Sequence, residues 1–281
     1  MTTNVPVGQT REGGLDRPIL ITGRGGSGTR LAADIAIGVG VFLGNEFNKS
    51  SDSLEYEDAV KALMWERLQG ATQGPDWLER WRSTFRDRAR DVLATGSWPG
   101  DRPWGWKLPE LMFVLPEMCS IFPDGRVIHL IRHPVDSSLR RTHLTSRLDN
   151  PVGTIALPAA YRGLGLDPAL IDQHKKYMHN AIAWEYQVGS VSRWARANLP
   201  AERYLEIRYE DICTRAPEVQ RLVAAFAGGH IDGAPLPVVD TTRMRSYELP
   251  DPRVEDVWAV CGRTAELLGY SLADIEDTTS A

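Results

Sequence analysis

A glycine-rich turn near the start of the chain combines closely spaced glycines with two arginines, a pattern suited to binding an anion. It reads GRGGSGTR from Gly23 to Arg30 and follows the apolar run PILIT. Glycines let backbone N–H groups approach a ligand closely, and the first turn of a helix adds amides with partial positive charge. We therefore predict a cradle for a phosphate or sulfate. The residues expected to contact the anion are Arg24, Gly25, Gly26, Ser27, Gly28, Thr29 and Arg30.

The same glycines fit two phosphate-binding signatures, and neither fit is complete. The spacing from Gly23 to Gly28 matches the G-x-G-x-x-G of Rossmann dinucleotide sites, and Glu46 lies near the expected ribose-binding acid. The same span matches the G-x-x-x-x-G of a P-loop, but Thr29 and Arg30 stand where Lys and Ser/Thr should follow. Ordinary ATP or GTP hydrolysis is therefore not expected. A packing turn without a ligand is the third interpretation.

A second basic group follows a different apolar strand. The stretch GRVIHLIRHPVDSSLRR puts Arg132 directly after the strand, and a Pro-Val-Asp turn then begins a helix. This helix carries Ser137, Ser138, Arg140 and Arg141. A guanidinium at a strand end beside hydroxyls in the first turn of a helix forms a second phosphate site. The alternative is a surface helix whose arginines pair with nearby acids.

The elements that must position these residues alternate along the chain in the order typical of an α/β fold. Apolar runs at PILIT, WGWK, RVIHLI and RYLEIRY predict strands, and longer helical patterns separate them. This order predicts a parallel sheet covered by helices, with both anion sites at the carboxyl edge of the sheet. The first helical pattern starts at Thr29. The other helical patterns cover Ser53 to Leu68, Asp76 to Leu93, Leu108 to Ile121, Val135 to Arg147, Asp172 to Asn198, Pro217 to Ala227 and Arg253 to Leu268.

The domain organisation is predicted to be simple. We expect a flexible lead-in over residues 1–17 and a single domain over residues 18–281. The stretch VGVFLG is ambiguous between a strand and the end of a helix. The segment from Asp149 to Pro168, rich in glycine and proline, is too long for an ordinary connection and predicts either a lid or a disordered insert.

Composition excludes several function classes. The net charge of −5 argues against general attraction to nucleic acid or an anionic membrane. The three cysteines show no CxxC pair, and His129 and His133 straddle a strand end, so no disulfide framework or metal site is expected. No apolar run is long enough for a membrane span and no secretion signal is recognisable, so a cytoplasmic protein is predicted. Oligomeric state cannot be read from the pattern.

Four motifs together resemble the sulfotransferase family that uses 3′-phosphoadenosine 5′-phosphosulfate (PAPS). They are ITGRGGSGTRL, WGWKLPE, FPDGRVIHLIRHPVDSSL and RYLEIRYEDI, and they occur in the order of that family. The resemblance spans Pro18 to about Ile212, and VWAVCGRTAELLGY resembles the usual terminal helix. It implies a three-layer fold of the P-loop type. It also implies that the Gly23 to Arg30 loop binds the phosphosulfate while Arg132 and either Ser137 or Ser138 bind the 3′-phosphate.

The chain departs from the family pattern at three places. Gly26 stands where the family usually carries Lys or Arg, so Arg24 or Lys107 is expected to supply that cation. Arg140 stands where the second 3′-phosphate ligand is usually a serine, which leaves Ser138 or Arg140 itself as the partner. The glycine-rich C-terminal cofactor segment is absent, and DTTRMRSYELPDP, with Arg243 and Arg245, is a possible substitute.

The resemblance implies in-line transfer of a sulfuryl group from PAPS, without a metal, to a hydroxyl of a small molecule, lipid or carbohydrate. The acceptor hydroxyl then needs a general base. Glu46 is the first choice because some family members take their base from a glutamate shortly after the helix of the loop. Asp52, Glu55 and His143 are the alternatives. Two other functions stay open: an NAD(P)-dependent oxidoreductase of the Rossmann type and a nucleotide-binding protein without catalytic activity.

Overall fold

Four parallel strands form one sheet in the order β2-β1-β3-β4. They are β1 (Ile19–Gly23), β2 (Gly105–Lys107), β3 (Arg126–Ile131) and β4 (Tyr204–Arg208). The first three are almost entirely buried, as apolar strands covered on both faces should be. The predicted strands and their parallel arrangement are confirmed.

The structure is a computed structural model that describes residues 14–70, 74–95, 98–240, 244 and 247–276. Two sequence predictions fall outside these residues: the first thirteen residues of the predicted lead-in, and the proposed cofactor segment at Arg243 and Arg245.

Helices occupy most of the chain between and after the strands. The first group is α1 (Thr29–Gly38), α2 (Leu54–Leu68), α3 (Pro75–Thr95), α4 (Leu115–Ile121), α5 (Pro134–Ser138) and α6 (Gly153–Gly163). The second group is α7 (Lys176–Trp184), α8 (Ser190–Asn198), α9 (Tyr209–Thr214), α10 (Ala216–Ala227), α11 (Arg253–Leu267) and α12 (Ala273–Glu276). A π-helical turn, Glu185–Gly189, joins α7 to α8, so these elements form one long helix.

Two apolar layers sandwich the sheet. On one face, Trp106 of β2 stacks on Tyr56 of α2 with ring centroids 4.3 Å apart, and Phe85 of α3 packs beside them. On the other face, Ile21 of β1 belongs to the same apolar cluster as Ile35 of α1. Alternate residues along a strand point to opposite faces, so each strand contributes to both layers. The predicted three-layer α/β fold is confirmed.

The helix predicted from Val135 to Arg147 is wrong beyond its first turn. Helix α5 ends at Ser138, and only a short 3₁₀ turn, Leu144–Ser146, follows. The Thr145 amide donates to Nδ1 of His143, at 3.3 Å, instead of to a helical carbonyl. His143 has an extended backbone conformation, with φ −74° and ψ 157°, so the chain leaves the helical path before the 3₁₀ turn and the imidazole caps that turn.

The segment from Asp149 to Pro168 is not a disordered insert, because more than half of it forms α6. Leu157, Ala160 and Tyr161 of this helix are buried in an apolar cluster with Ile182 of α7. Their i, i+3, i+4 spacing is helical. The prediction missed this helix because it relied on the glycine and proline content of the segment, including Pro158. This segment is therefore part of the packed structure.

The ambiguous stretch VGVFLG is neither a strand nor part of a helix. Val39 follows the end of α1, and Phe42 makes one isolated parallel bridge with Trp104. The positive φ of 96° at Gly40 turns the chain between these two residues.

Candidate active site

The glycine turn connects β1 to α1 at the carboxyl edge of the sheet, as predicted. The Ser27 amide donates to the Arg24 carbonyl at 3.0 Å and closes the turn. Gly28 has φ 95°, and a Cβ there would lie 2.5 Å from the ring of Tyr209, so both conformation and space require glycine. Because α1 begins at Thr29, its first amides have no acceptor within the helix and point toward the turn.

Three serine hydroxyls near this edge are buried without a hydrogen-bond partner among the described residues. They belong to Ser27 of the turn and to Ser137 and Ser138 of α5. A buried unpaired hydroxyl costs free energy, and oxygen atoms of a bound anion would satisfy it. The turn and α5 therefore fit phosphate or sulfate groups.

Arg132 lies directly after β3, with 1% of its surface exposed. Its guanidinium lies 4.1 Å from the ring centroid of Tyr209 and donates to the Met244 carbonyl at 3.1 Å. The Asp136 carboxylate is 4.0 Å away. Tyr209 thus contacts both Arg132 and the position of Gly28, so one aromatic ring connects the two predicted anion sites.

Tyr209 and Arg140 complete this part of the edge. Burial raises the pKa of Tyr209 to about 12, against the lowering effect of Arg132 and Arg140, so the phenol stays neutral. Arg140 is half-buried and close enough to influence that pKa. The sequence motif RYLEIRYEDI contains Tyr209 directly after the strand. Nothing in the spacing of this motif predicts that Tyr209 contacts Arg132 and the position of Gly28.

Arg24 is buried, and its guanidinium points into the protein. It donates to Oδ1 of Asn180 at 2.8 Å and to Oγ of Ser146 at 3.1 Å. Burial lowers the pKa of Arg24 to about 10, which leaves it charged at neutral pH. Asn180 also donates to the Ser138 carbonyl at 3.0 Å and therefore holds the glycine turn and α5 together. Sequence reasoning missed Asn180, which carries no local signal.

Lys107 ends β2 with a side chain that is 0% exposed. Its ammonium donates to the Asp52 carboxylate at 2.5 Å and to the Ser50 carbonyl at 2.7 Å. Burial lowers the pKa of Lys107, and the Asp52 carboxylate opposes that change. Lys107 is therefore a fixed cation at the carboxyl end of β2, opposite Ile21 of β1, in an environment separate from that of Arg24.

The predicted base Glu46 lies on an exposed loop between α1 and α2. The carboxylate of Glu55 accepts hydrogen bonds from the Asn45 amide at 2.5 Å and the Glu46 amide at 3.0 Å. Glu55 thus holds the loop, and Asp52 pairs with Lys107. Two of the alternative bases therefore already have partners.

The third alternative, His143, packs its ring against Gly25, where a Cβ would collide with it. Its Nδ1 lies 3.0 Å from Oγ1 of Thr145. Burial lowers the pKa of His143 to about 3, and the charges of Arg24 and Arg141 add to this effect. The imidazole is therefore neutral at physiological pH and forms one wall of the glycine turn.

A further acid, Glu110, was missed although it ends the motif WGWKLPE. It follows Lys107 by three residues in a 3₁₀ turn, Pro109–Phe113. Burial raises the pKa of its half-buried carboxyl group. No cluster of His, Cys, Asp or Glu that could hold a metal ion occurs within the described ranges.

The Rossmann interpretation lacks its structural context. That fold needs a strand after α1 with the ribose-binding acid at its end. Between α1 and α2 the structure has only two isolated bridges, Phe42 to Trp104 and Phe47 to Ser53, and Glu46 lies on the loop between them. Across the residues that the structure describes, no helix is long and apolar enough to cross a membrane.

Residues 43–232, well over half of the chain, match the model of the sulfotransferase family. The match begins after the glycine turn, so it does not include the loop from Gly23 to Arg30. It does include Lys107, Arg132 and Tyr209. A search of curated proteins found no match.

Solved structures of sulfotransferase domains are similar in fold. The sulfotransferase domain from the Synechococcus PCC 7002 olefin synthase has a TM-score of 0.50 and 15% identity over 91% of this chain and 95% of that one. The sulfotransferase domain from the curacin biosynthetic pathway has a TM-score of 0.50 and 13% identity over 91% and 99% of the two chains. At these identities the similarity is evidence for the fold alone.

Proposed function

Because the chain belongs to the sulfotransferase family, we propose that it transfers a sulfuryl group from PAPS to a hydroxyl group of a small molecule, lipid or carbohydrate. We place this activity in the cytoplasm. The observation that carries the proposal is that Tyr209 contacts both predicted anion sites: the glycine turn on one side and Arg132 on the other. PAPS has two separated anionic groups, which such a pair suits.

In this proposal the two surfaces hold different ends of the donor. The backbone amides from Arg24 to Arg30, with the Ser27 hydroxyl, bind the phosphosulfate, while the buried Arg24 guanidinium adds positive charge behind the turn. Arg132, Ser138 and Arg140 bind the 3′-phosphate. The buried hydroxyls of Ser27 and Ser138, which have no partner among the described residues, support these assignments. The cation–π contact with Tyr209 keeps the Arg132 guanidinium at the edge of the sheet.

The reaction needs alignment and charge compensation more than covalent chemistry. The acceptor oxygen bonds to sulfur as the bond from sulfur to the bridging phosphate oxygen breaks, and the hydroxyl proton passes to a carboxylate base. Lys107 and Arg24 offset the negative charge that grows on the departing phosphate. A charge-assisted hydrogen bond contributes about 1.5–3 kcal/mol, or roughly one to two decades in rate when it forms only in the transition state.

The sequence candidate for the base is Glu46. Its loop is held by Glu55, and its exposed position leaves it accessible to an acceptor that enters from solvent. The role of Glu46 stays a prediction.

Calorimetric titration with 3′-phosphoadenosine 5′-phosphate (PAP), AMP and NAD tests the proposal. We expect PAP to bind at least about tenfold more tightly than AMP, because only PAP engages both surfaces. Equal affinities for PAP and AMP would contradict the two-surface site, and binding of NAD alone would restore the dinucleotide interpretation.

A second measurement distinguishes an enzyme from a nucleotide-binding protein without catalytic activity. Incubation of the PAP-binding protein with PAPS and a panel of phenols, alcohols and sugars should produce PAP and a sulfated acceptor. Tight PAP binding without turnover on any acceptor would favour the non-catalytic alternative.

A further inference from the structure

Two ion pairs flank the carboxyl group of Glu110 near the end of β2. Lys107 pairs with Asp52, and Lys61 pairs with Glu57 one turn earlier on α2. Glu110 is close enough to both pairs to interact electrostatically with all four charges. In the described part of the chain no side chain hydrogen-bonds or pairs directly with its carboxylate, which accepts a hydrogen bond from the backbone amide of Glu110 itself. A carboxylate has further acceptor positions for another partner.

Hydrogen bonds attach the 3₁₀ turn that carries Glu110 to β1, the strand that precedes the glycine turn. Oγ1 of Thr22 donates to the Leu108 carbonyl at 3.1 Å and to the Pro109 carbonyl at 3.4 Å. The Leu108 amide donates to the Ile21 carbonyl at 3.1 Å. Thr22 directly precedes Gly23, where the glycine turn begins. These bonds fix the backbone that leads into Glu110 against the end of β1, so the residue is held at the same edge of the sheet as the glycine turn.

The protonation behaviour of Glu110 also suits a base. Burial raises its pKa, a hydrogen bond from its own backbone amide and the charge of Lys61 oppose that change, and Asp52 and Glu57 reinforce it. A carboxylate with a raised pKa takes a proton more readily than one in water. Glu46, in contrast, is exposed, and its described hydrogen bonds come from its backbone groups.

We propose that Glu110, rather than Glu46, is the general base that accepts the proton of the acceptor hydroxyl. This inference rests on the proposed sulfuryl transfer. As the acceptor oxygen bonds to sulfur and PAP departs, the proton moves to the Glu110 carboxylate and then to solvent. Lys107, three residues earlier, compensates the charge on the departing phosphate. One short segment, WGWKLPE, therefore supplies both the cation and the base.

Binding of PAP tests the position of Glu110 without any acceptor. An ionised Glu110 repels the nearby 5′-phosphate, so Glu110→Gln should raise PAP affinity about three- to tenfold in mildly alkaline solution. PAP affinity should also depend less on pH in the variant than in the wild type, because one carboxyl group with a raised pKa has been removed. The matched control, Glu46→Gln, should change neither quantity. Unchanged PAP affinity in Glu110→Gln at every pH would place Glu110 away from the cofactor and overturn the inference.

Turnover tests the chemical role. With an aliphatic alcohol as acceptor, Glu110→Gln should lower kcat by about 10²–10⁴, whereas 4-nitrophenol, largely ionised in mildly alkaline solution, should react almost normally. Glu110→Asp keeps a carboxylate and should recover part of the lost activity. Thermal unfolding of each variant shows whether it is folded. A large loss in Glu46→Gln with normal turnover in Glu110→Gln would contradict the inference and leave sulfuryl transfer intact.

The proposed function fails in a different way. If the wild-type protein does not prefer PAP over AMP, the donor itself is wrong. If the wild type binds PAP but transfers to no acceptor, the PAP titration of Glu110→Gln still decides whether Glu110 lies beside the phosphate.

Discussion

Tyr209 shows how one side chain can connect two sites that lie far apart in sequence. Its ring occupies the space that a Cβ at Gly28 would need, and its face supports the Arg132 guanidinium. The neutral ring contributes a cation–π contact to the buried guanidinium and so helps to fix its position at the strand end. The Asp136 carboxylate lies 4.0 Å from the same guanidinium.

At this scale we predict that Arg132→Ala selectively weakens ligands with a 3′-phosphate. Loss of the guanidinium removes one or two charge-assisted hydrogen bonds, so PAP affinity should fall roughly 10- to 100-fold while the affinity for AMP changes little. Calorimetric titration of both ligands measures the difference.

The matched control is Arg126→Ala. Arg126 begins the same strand at the opposite edge of the sheet and donates to the Phe226 carbonyl. This variant should lower stability without changing the ratio of PAP to AMP affinity. Equal losses for PAP and AMP in Arg132→Ala would remove Arg132 from the 3′-phosphate role.

Among the elements, the connection from β1 to α1 depends most directly on backbone geometry. Gly28 precedes the first residue of α1 with a left-handed conformation, and the ring of Tyr209 covers the space beside it. A side chain at this position must therefore adopt an unfavourable φ and also displace an aromatic ring. Either change moves the amides that the glycine turn presents.

We predict that Gly28→Ala lowers PAP affinity by at least about tenfold and destabilises the protein by more than the roughly 1 kcal/mol expected from backbone strain alone. Titration with PAP and urea unfolding measure the two effects.

Gly165→Ala is the control, because Gly165 has φ 74° but open space where its Cβ would lie. This variant should lower the free energy of unfolding by only about 1 kcal/mol and leave PAP affinity unchanged. If the two variants behaved alike, Tyr209 would not restrict the turn.

For the whole molecule, buried histidines couple stability to pH. His129 of β3 is 0% exposed, and its Nδ1 lies 2.7 Å from the Tyr204 hydroxyl. Burial lowers the pKa of His129 to about 4, although Glu206 opposes this change and Arg196 adds to it. The unfolded chain takes up a proton near pH 6.5, before the folded protein does. The contribution of His129 to stability is therefore present above that pH and is lost as pH falls toward about 4.

We predict that His129→Asn makes the stability less dependent on pH in this window. The difference between an unfolded pKa of about 6.5 and a folded pKa of about 4 corresponds to roughly 3 kcal/mol, which the variant should no longer lose on acidification. Urea unfolding between about pH 7 and 4 measures the slope.

Exposed His230 provides the control: His230→Asn should keep the wild-type slope. His143, also with a lowered pKa, should leave a residual slope in His129→Asn. A slope in His129→Asn equal to that of the wild type would show that other groups dominate acid unfolding.

The sequence by itself determined the four strands, most helices, the start of α1 at Thr29 and the position of Arg132 at a strand end. These features depend on local periodicity, on glycine spacing and on the order of strands and helices, all of which are readable along the chain. The break after Ser138 and the helix in the segment from Asp149 to Pro168 were missed because weak local preferences yielded to packing.

Only the tertiary structure decided which side chains meet. Tyr209 reaches Gly28, Asn180 joins Arg24 to Ser138, and Asp52 pairs with Lys107, although each contact spans tens of residues. Such contacts depend on strand order and on the face from which each side chain projects, neither of which is encoded in the spacing of a motif. Glu110 is a further case, since its motif was recognised from sequence while its proximity to Lys61 of α2 and the attachment of its 3₁₀ turn to Thr22 required the folded sheet.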